Sequence, residues 1–367
     1  MKIVVLTSSL SAGGAERVAS TLCNSWVERG DQVTLIPTYS GGGVPFYPLS
    51  NNVELIYLAA RVQGGLGRLS QYKQRFLILR RLIAERAPDV VVSFLPNVNV
   101  AAILATAGLK IPVIICERSD PSQQPYTLLW KLACRLCYRF ADMLTVQTAS
   151  VAKSSAVIFP KLKKIRAVAN PLPAEVLQYV HVAGGPRKIL LSLGRLSEEK
   201  QVDRIIDAFS NVCERCPDWD LHIYGDGPLR NEVEGAISRK GLGNRVVLQG
   251  RTNEPWKVMA GADAFVMASR YEGFPNALLE AMGLGLPCIA FDCPSGPREM
   301  SSDGQYAVLV PLNDQTALSV AMNEVMSDKT FRTTLGAGAK ETVLERFSLR
   351  AVLGRWDELF KEVGAIR

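Results

Sequence analysis

Histidine is nearly missing from the chain: 367 residues hold two, His181 in a Pro/Gly-rich stretch and His222 inside the strand-like run DLHIYG. Neither is a convincing general base. No apolar run reaches the roughly 18 to 20 residues of a membrane span, and MKIVVLTSSL has neither a cationic leader nor a small-residue cleavage site, so the sequence reads as cytoplasmic. No G-x-G-x-x-G follows the first strand, which removes the main support for an NAD-dependent enzyme. No cluster of acids is spaced to hold a divalent metal. Two Cys-x-x-Cys pairs occur, Cys134/Cys137 and Cys213/Cys216, but they fall on separate helical patterns in different halves. A zinc site needs such pairs together, and the eight cysteines, embedded in runs such as VIICERS and LPCIAFD, read as core.

What remains is an ordinary globular composition, 48% hydrophobic and 21% charged, in a chain long enough for two domains of roughly 150 to 200 residues. Charge divides unevenly. Residues 1 to 183 carry 20 Lys+Arg against 10 Asp+Glu, whereas residues 184 to 367 carry 22 against 25. Only the first half therefore expects an anionic partner, and nothing points to nucleic acid.

Short β-rich runs alternate with amphipathic stretches: KIVVLTS, a helix from about Ala15 to Arg29, QVTLIPT, DVVVSFL, PVIICE and MLTVQT. That alternation predicts βαβ units and a parallel sheet. PLPAEV…HVAGGPRK reads as a linker, and KILLSLG restarts the pattern. It continues with a helix over 201–215, DLHIYGDG, a helix over 228–240, RVVLQG, a helix over 254–260, AFVMAS, PCIAFD and YAVLVP. The prediction is two Rossmann-like domains in tandem, one over 1–170 and one over 188–347, joined by a linker over 171–187. A last helix over 348–367 can pack on either domain. Ligands of such sheets bind beyond the carboxyl ends of the strands.

The loops at those ends hold the candidate residues. SSLSAGGAER follows the first strand, where Gly13 and Gly14 allow close backbone approach at a helix start suited to phosphate, or simply close a turn. LGRLSEEK sets Arg195 and Lys200 five apart, a planar fork and a movable point charge fitted to a pyrophosphate. YGDGPLR is a glycine turn with Pro228 as a first helical residue, and Asp226 a candidate contact. In SRYEGFPNALLEAMGLG, Glu272 sits in a site loop and Glu280 on the following helix, which starts at Pro275 and ends at Gly283 and Gly285. Glu280 falls among apolar residues and must meet hydroxyls, amides or a cation; a carboxylate can hold a vicinal diol.

In this order and spacing, SAGGAERV, GRLSEEK, YGDGPLR, LQGRTNEPW and EGFPNALLE resemble the family-four retaining glycosyltransferases of the GT-B fold, over nearly the whole chain. The resemblance implies two Rossmann-like domains facing across a cleft, the first acceptor-binding and the second nucleotide-sugar-binding, with a nucleotide-sugar as substrate and neither cofactor nor metal. It assigns the donor diphosphate to Arg195 and Lys200, the ribose to Glu280, and the transferred sugar to Glu272 beside Gly273, Phe274, Pro275 and Asn276. Arg251 and Thr252 would read the base, Gly14 would lie near the donor phosphate, and Gly13 near the acceptor. One departure stands out: many relatives carry a histidine after the strand equivalent to PVIICE, where this chain has Glu117-Arg118-Ser119, so Arg118 stands at or near that place. Retention without a placed nucleophile favours a front-face route, with the leaving phosphate taking the acceptor's proton.

The basic first half points to the acceptor. RVQGGLGRLSQYKQRFLILRR, with Lys73 and Arg75 among six cations and no acid, also offers Leu69, Phe76, Leu77, Leu79 and Leu82. Such a helix suits an anionic membrane surface or a lipid-linked diphosphate, as does YTLLWKLACRLCYRF with Lys131, Arg135 and Arg139; two solvated faces are the plain alternative. SAGGAER with DCPSGPREM resembles bacterial enzymes that extend polyprenyl-diphosphate-linked oligosaccharides from UDP-GalNAc, UDP-Gal or UDP-GlcNAc, working at the inner face of the cytoplasmic membrane. The alternatives are a GDP-mannose-dependent transferase, a glycoside hydrolase using Glu272 and Glu280, and a non-catalytic nucleotide-sugar-binding module.

Overall fold

The computed structural model describes residues 1–62, 68–123, 127–182 and 184–365, without the side chains of Arg68 and Leu69. The chain divides into two compact units, Met1–Asn170 with Val352–Arg367, and Pro171–Ala351.

In the first unit the order is β1 (Lys2–Thr7), α1 (Gly14–Glu28), β2 (Gln32–Pro37), β3 (Glu54–Leu55), α2 (Arg68–Arg86), β4 (Val90–Phe94) and α3 (Pro96–Thr106). Next come β5 (Val113–Cys116), α4 (Leu128–Tyr138), β6 (Met143–Val146), α5 (Ala149–Ile158) and β7 (Ile165–Ala167). Every strand pair is parallel, in the order β3-β2-β1-β4-β5-β6-β7. Runs such as VVVSF and VIIC are buried throughout, as a sheet covered on both faces requires. Thr127 and Thr148 cap α4 and α5 by accepting from Trp130 N and Val151 N. The two short strands β3 and β7 carry too few residues to stand out in the sequence.

The second unit runs β8 (Lys188–Leu193), α6 (Val202–Ser210), β9 (Trp219–Tyr224), α7 (Arg230–Arg239), β10 (Val246–Gly250), α8 (Pro255–Ala260) and β11 (Ala264–Met267). It continues through α9 (Asn276–Leu284), β12 (Cys288–Phe291), α10 (Pro297–Met300), β13 (Val308–Val310), α11 (Gln315–Ser327) and α12 (Lys329–Phe347). Its sheet is also all parallel, ordered β10-β9-β8-β11-β12-β13. Leu190, Ile206, Phe209, Trp219, Val266 and Phe291 belong to its core. Strand order reverses between β8 and β11, so the crevice beyond their carboxyl ends is the expected ligand position.

α13 (Leu349–Glu362) returns to the first unit, where Trp356 meets Trp26 edge-on at 5.6 Å and Phe360 lies 5.5 Å from the same ring. The stretch read as a linker belongs to the second unit, with Leu172 and Val176 buried; Ala183 lies outside the described residues. Other boundaries shift too. Pro228 precedes α7 by two residues, and α6 ends at Ser210 rather than 215. Pro275 caps α9, and of its two glycines only Gly285 ends it, at φ +87. Gly283 lies inside the helix, where a Cβ would come within 2.8 Å of Leu172.

Candidate active site

At the crossover in the second unit, β8 ends at Leu193 and a tight turn over Glu198–Lys200 brings the chain back. The Lys200 stem then lies over Gly194, where a Cβ would be 3.8 Å from Lys200 Cδ. From the loop after the neighbouring strand β11 come Ser269 and Glu272. Lys200 Nζ donates to Glu272 Oε1 at 2.5 Å, and Ser269 Oγ donates to the same oxygen at 2.7 Å. Ser295 Oγ donates to the Glu272 carbonyl, tying in the loop after β12. Arg195 is exposed and, among the described residues, its guanidinium has no hydrogen-bond or ion-pair partner, so its fork is available to an anion.

These residues wall a cavity of about 240 Å³ with Phe274, Pro275, Asn276 and Ala277. The N-terminus of α9 thus faces the two cations' space, adding amide donors and the positive end of a helix dipole. A wider cavity of about 720 Å³ adjoins it, sharing Leu193, Gly194, Arg195 and Tyr224, and extends to Asp226, Arg251 and Thr252. The glycines of YGDGP are demanded here: a Cβ on Gly225, at φ +149, would stand 1.8 Å from the Gly194 carbonyl oxygen. Asp226 pairs with Arg251 at 3.4 Å and accepts from Gly227 N, and Thr252 Oγ1 accepts from Glu254 N.

Glu280 is 5% exposed, and Trp256 Nε1 donates to its Oε2 at 2.9 Å. It walls neither cavity, but Trp256 follows Pro255, which lines the wider one. Two carboxylates flanking one cavity, as a glycoside hydrolase needs, are therefore not present in Glu272 and Glu280. Cys293, whose thiol burial and then the Glu272 charge push up to about 12, is no nucleophile at neutral pH.

In the first unit, Gly13 caps α1, and a Cβ on it would fall 2.1 Å from Glu16 Oε2. The buried Glu16 carboxylate, which accepts from Ser9 Oγ at 3.1 Å, thus already occupies the helix start. An incoming phosphate would have to compete with Glu16 for that helix start, and a hydroxyl donor suits the place better.

Arg118 follows β5. Its Nη1 donates to Asn170 Oδ1 at 2.9 Å and its guanidinium carbon lies 4.7 Å from the Phe94 ring centroid. Nε and Nη2 are buried without a hydrogen-bond partner, a costly state that an anionic or hydroxyl acceptor would relieve. Beside it, Glu117 is buried and accepts from Tyr138 Oη; desolvation lifts its carboxyl to about 7. On α2, Lys73 is exposed, whereas Arg75 lies 5.6 Å from the Tyr39 ring with Nε buried and unpartnered.

The membrane-lying reading of α2 needs correcting. Leu79 and Leu82 are core residues, Phe76 packs on that core, and Leu77 is exposed; Leu69 and residues 63–67 lie outside the described set. Arg80 donates to the Ala105 and Ala107 carbonyls, and Arg81 pairs with Glu85. No described helix is long and apolar enough to cross a membrane.

Sequence reasoning missed Ser269 and Trp256. Ser269 ends the run AFVMAS and Trp256 stands in NEPW, so both were in sight, but only the packing of α8 against α9 aims the indole at Glu280.

Comparison with known proteins gives the family and the fold. Residues 12–176 match the Glycosyltransferase Family 4 model and residues 177–342 the Glycosyl transferases group 1 model. The chain is 28% identical, over 99% of both chains, to a Campylobacter jejuni enzyme, GalNAc-alpha-(1->4)-GalNAc-alpha-(1->3)-diNAcBac-PP-undecaprenol alpha-1,4-N-acetyl-D-galactosaminyltransferase. Among solved structures, the apo lipopolysaccharide outer core galactosyltransferase WaaB superposes with a TM-score of 0.77 at 19% identity, covering 99% of this chain and 100% of that one. Anabaena HepE in complex with UDP-glucose gives 0.77 at 18% identity, covering 98% and 99%.

The fold is thus GT-B, and the chain is a nucleotide-sugar-dependent glycosyltransferase. The chain belongs to glycosyltransferase family 4, whose retaining enzymes take a nucleotide-sugar as substrate and are generally metal-independent.

Proposed function

We propose that this enzyme transfers a hexose or N-acetylhexosamine, with GalNAc favoured over Gal and GlcNAc, from its UDP-sugar to a polyprenyl-diphosphate-linked saccharide during surface-glycan or glycoprotein-glycan assembly. The observation that carries this reading is the pair of adjoining cavities sharing Arg195. The smaller, with Lys200 and Glu272, suits the sugar and diphosphate; the wider, with Arg251 and Thr252, suits the nucleoside. The full-length likeness to a transferase of GalNAc onto an undecaprenyl-diphosphate saccharide supports both donor and acceptor.

In this reading Arg195, Lys200 and the amides at the start of α9 stabilise charge growing on the leaving diphosphate. Glu272, with Gly273, Phe274, Pro275 and Asn276 beside it, holds hydroxyls of the moving sugar. Glu280 holds the ribose, oriented by Trp256. Front-face departure lets the leaving phosphate accept the acceptor's proton, so no protein base is required. Gly13, Gly14 with Glu16, and Arg118 receive acceptor or donor hydroxyls, while Lys73 and Arg75 meet the acceptor's diphosphate. Work at the inner face of the cytoplasmic membrane follows from such an acceptor.

A panel of UDP- and GDP-sugars tested by thermal shift, then with a polyprenyl-diphosphate saccharide, tests the proposal. Turnover of UDP-GalNAc is expected. Stabilisation by GDP but not UDP would overturn the donor assignment and favour a mannosyltransferase.

A further inference from the structure

We propose that α4 is the element by which this chain docks on an anionic lipid bilayer. Its inner side is fully used: Cys134 and Tyr138 lie in the first unit's core, and Trp130 and Cys137 pack against it. Its outer side carries Leu128 and Leu129, 85% and 81% exposed, together with the exposed Leu132, Leu136 and Phe140. Tyr126 lies outside the described residues. At about 100° per residue, Leu128, Leu132, Leu136 and Leu129 form one stripe along the helix, and Lys131, Arg135 and Arg139 form a second alongside it. All three cations are exposed. Residues 121–141 contain no Asp or Glu.

A run of exposed leucines on a helix has a cost in water and marks a surface meant to be covered. Which cover fits is decided by the cations. Leucines beside a basic stripe are the pattern of a helix lying in a membrane interface, its apolar side in the acyl boundary and its cations among headgroup phosphates. A groove of about 260 Å³ between Arg135, Arg139 and Lys161, floored by Leu132, Leu136 and Phe159, offers one such phosphate a seat. A second copy of the chain is a poorer occupant, since a two-fold contact through α4 would set basic stripe against basic stripe.

The inference deepens the proposed function, since it rests on an acceptor carried in the bilayer. The test contains no sugar, so its failure leaves the transfer assay standing and the reverse also holds. Full-length protein is pelleted with vesicles of phosphatidylcholine alone and with vesicles containing phosphatidylglycerol. Wild type should bind the anionic vesicles at least about tenfold better, with binding reduced by salt. Leu128→Ser/Leu129→Ser/Leu132→Ser and Lys131→Glu/Arg135→Glu should each lose that binding at unchanged Tm. Arg81→Glu/Lys110→Glu, with the same change in net charge, should keep most of it. Equal binding of wild type to both vesicles, or α4 variants that pellet like wild type, would overturn the proposal. So would a wild type that ignores vesicles but forms a dimer, seen by light scattering, that the serine variant breaks.

Discussion

Lys200 Nζ and Glu272 Oε1 lie 2.5 Å apart, and Ser269 Oγ donates to that same carboxylate oxygen. The ammonium assigned to the donor's diphosphate is thus paired within the protein itself, and diphosphate must compete with Glu272 for it. Glu272→Gln removes the competitor and weakens the hold on the sugar. UDP affinity by calorimetry should rise several-fold while kcat for transfer falls about 10²-fold or more. A variant that binds UDP more weakly would refute the competition.

Glu280 and Trp256 form the second coupled pair. Glu280→Gln should raise KM for the UDP-sugar about tenfold or more with a smaller effect on kcat. Trp256→Phe leaves a buried carboxylate short of one donor, which costs about 1 to 3 kcal/mol, and should lower Tm as well. Steady-state kinetics with varied donor, run beside thermal melts, separate the two effects.

Gly225 has no tolerance for a side chain, because its Cβ would overlap the carbonyl of Gly194, the residue over which the Lys200 stem lies. Gly225→Ala adds backbone strain of about 1 to 3 kcal/mol and should displace the 194–200 turn. UDP binding should be lost before the fold is, which calorimetry and circular dichroism together will report.

Much of this was legible in the sequence, for a physical reason. Strands buried on both faces, such as VVVSF and AFVM, must be nearly all apolar, and the loops after them then hold the polar residues that chemistry needs. Arg195, Lys200 and Glu272 were found that way, and the structure brings them to one cavity. What could not be read is what depends on side chains from distant elements meeting. The Lys200–Glu272 pair spans 72 positions, Trp256 reaches Glu280 from another helix, and Glu16 closes the helix start that two glycines seemed to leave open for phosphate. The apolar residues of α2 showed the opposite limit, since hydrophobicity alone does not say whether a face meets core or lipid.

Glu117 gives a prediction about pH. Burial raises its carboxyl in the folded chain to about 7 from the ordinary 4.5, so folding favours the protonated form. The stability this contributes is complete below about pH 4.5 and is lost as pH rises through 7. Glu117→Gln should therefore melt a few degrees above wild type at pH 8, with the gap closing toward pH 4.5. A constant gap across that range would show that the carboxyl does not titrate there.

The most direct measurement is kcat for transfer from UDP-GalNAc to a polyprenyl-diphosphate saccharide by wild type, Arg195→Ala and Lys200→Ala, each with its Tm. Charge stabilisation on the leaving diphosphate predicts transfer by wild type and losses of about 10² to 10³ in kcat in both variants at nearly unchanged Tm. A kcat that survives the loss of Lys200 would contradict it.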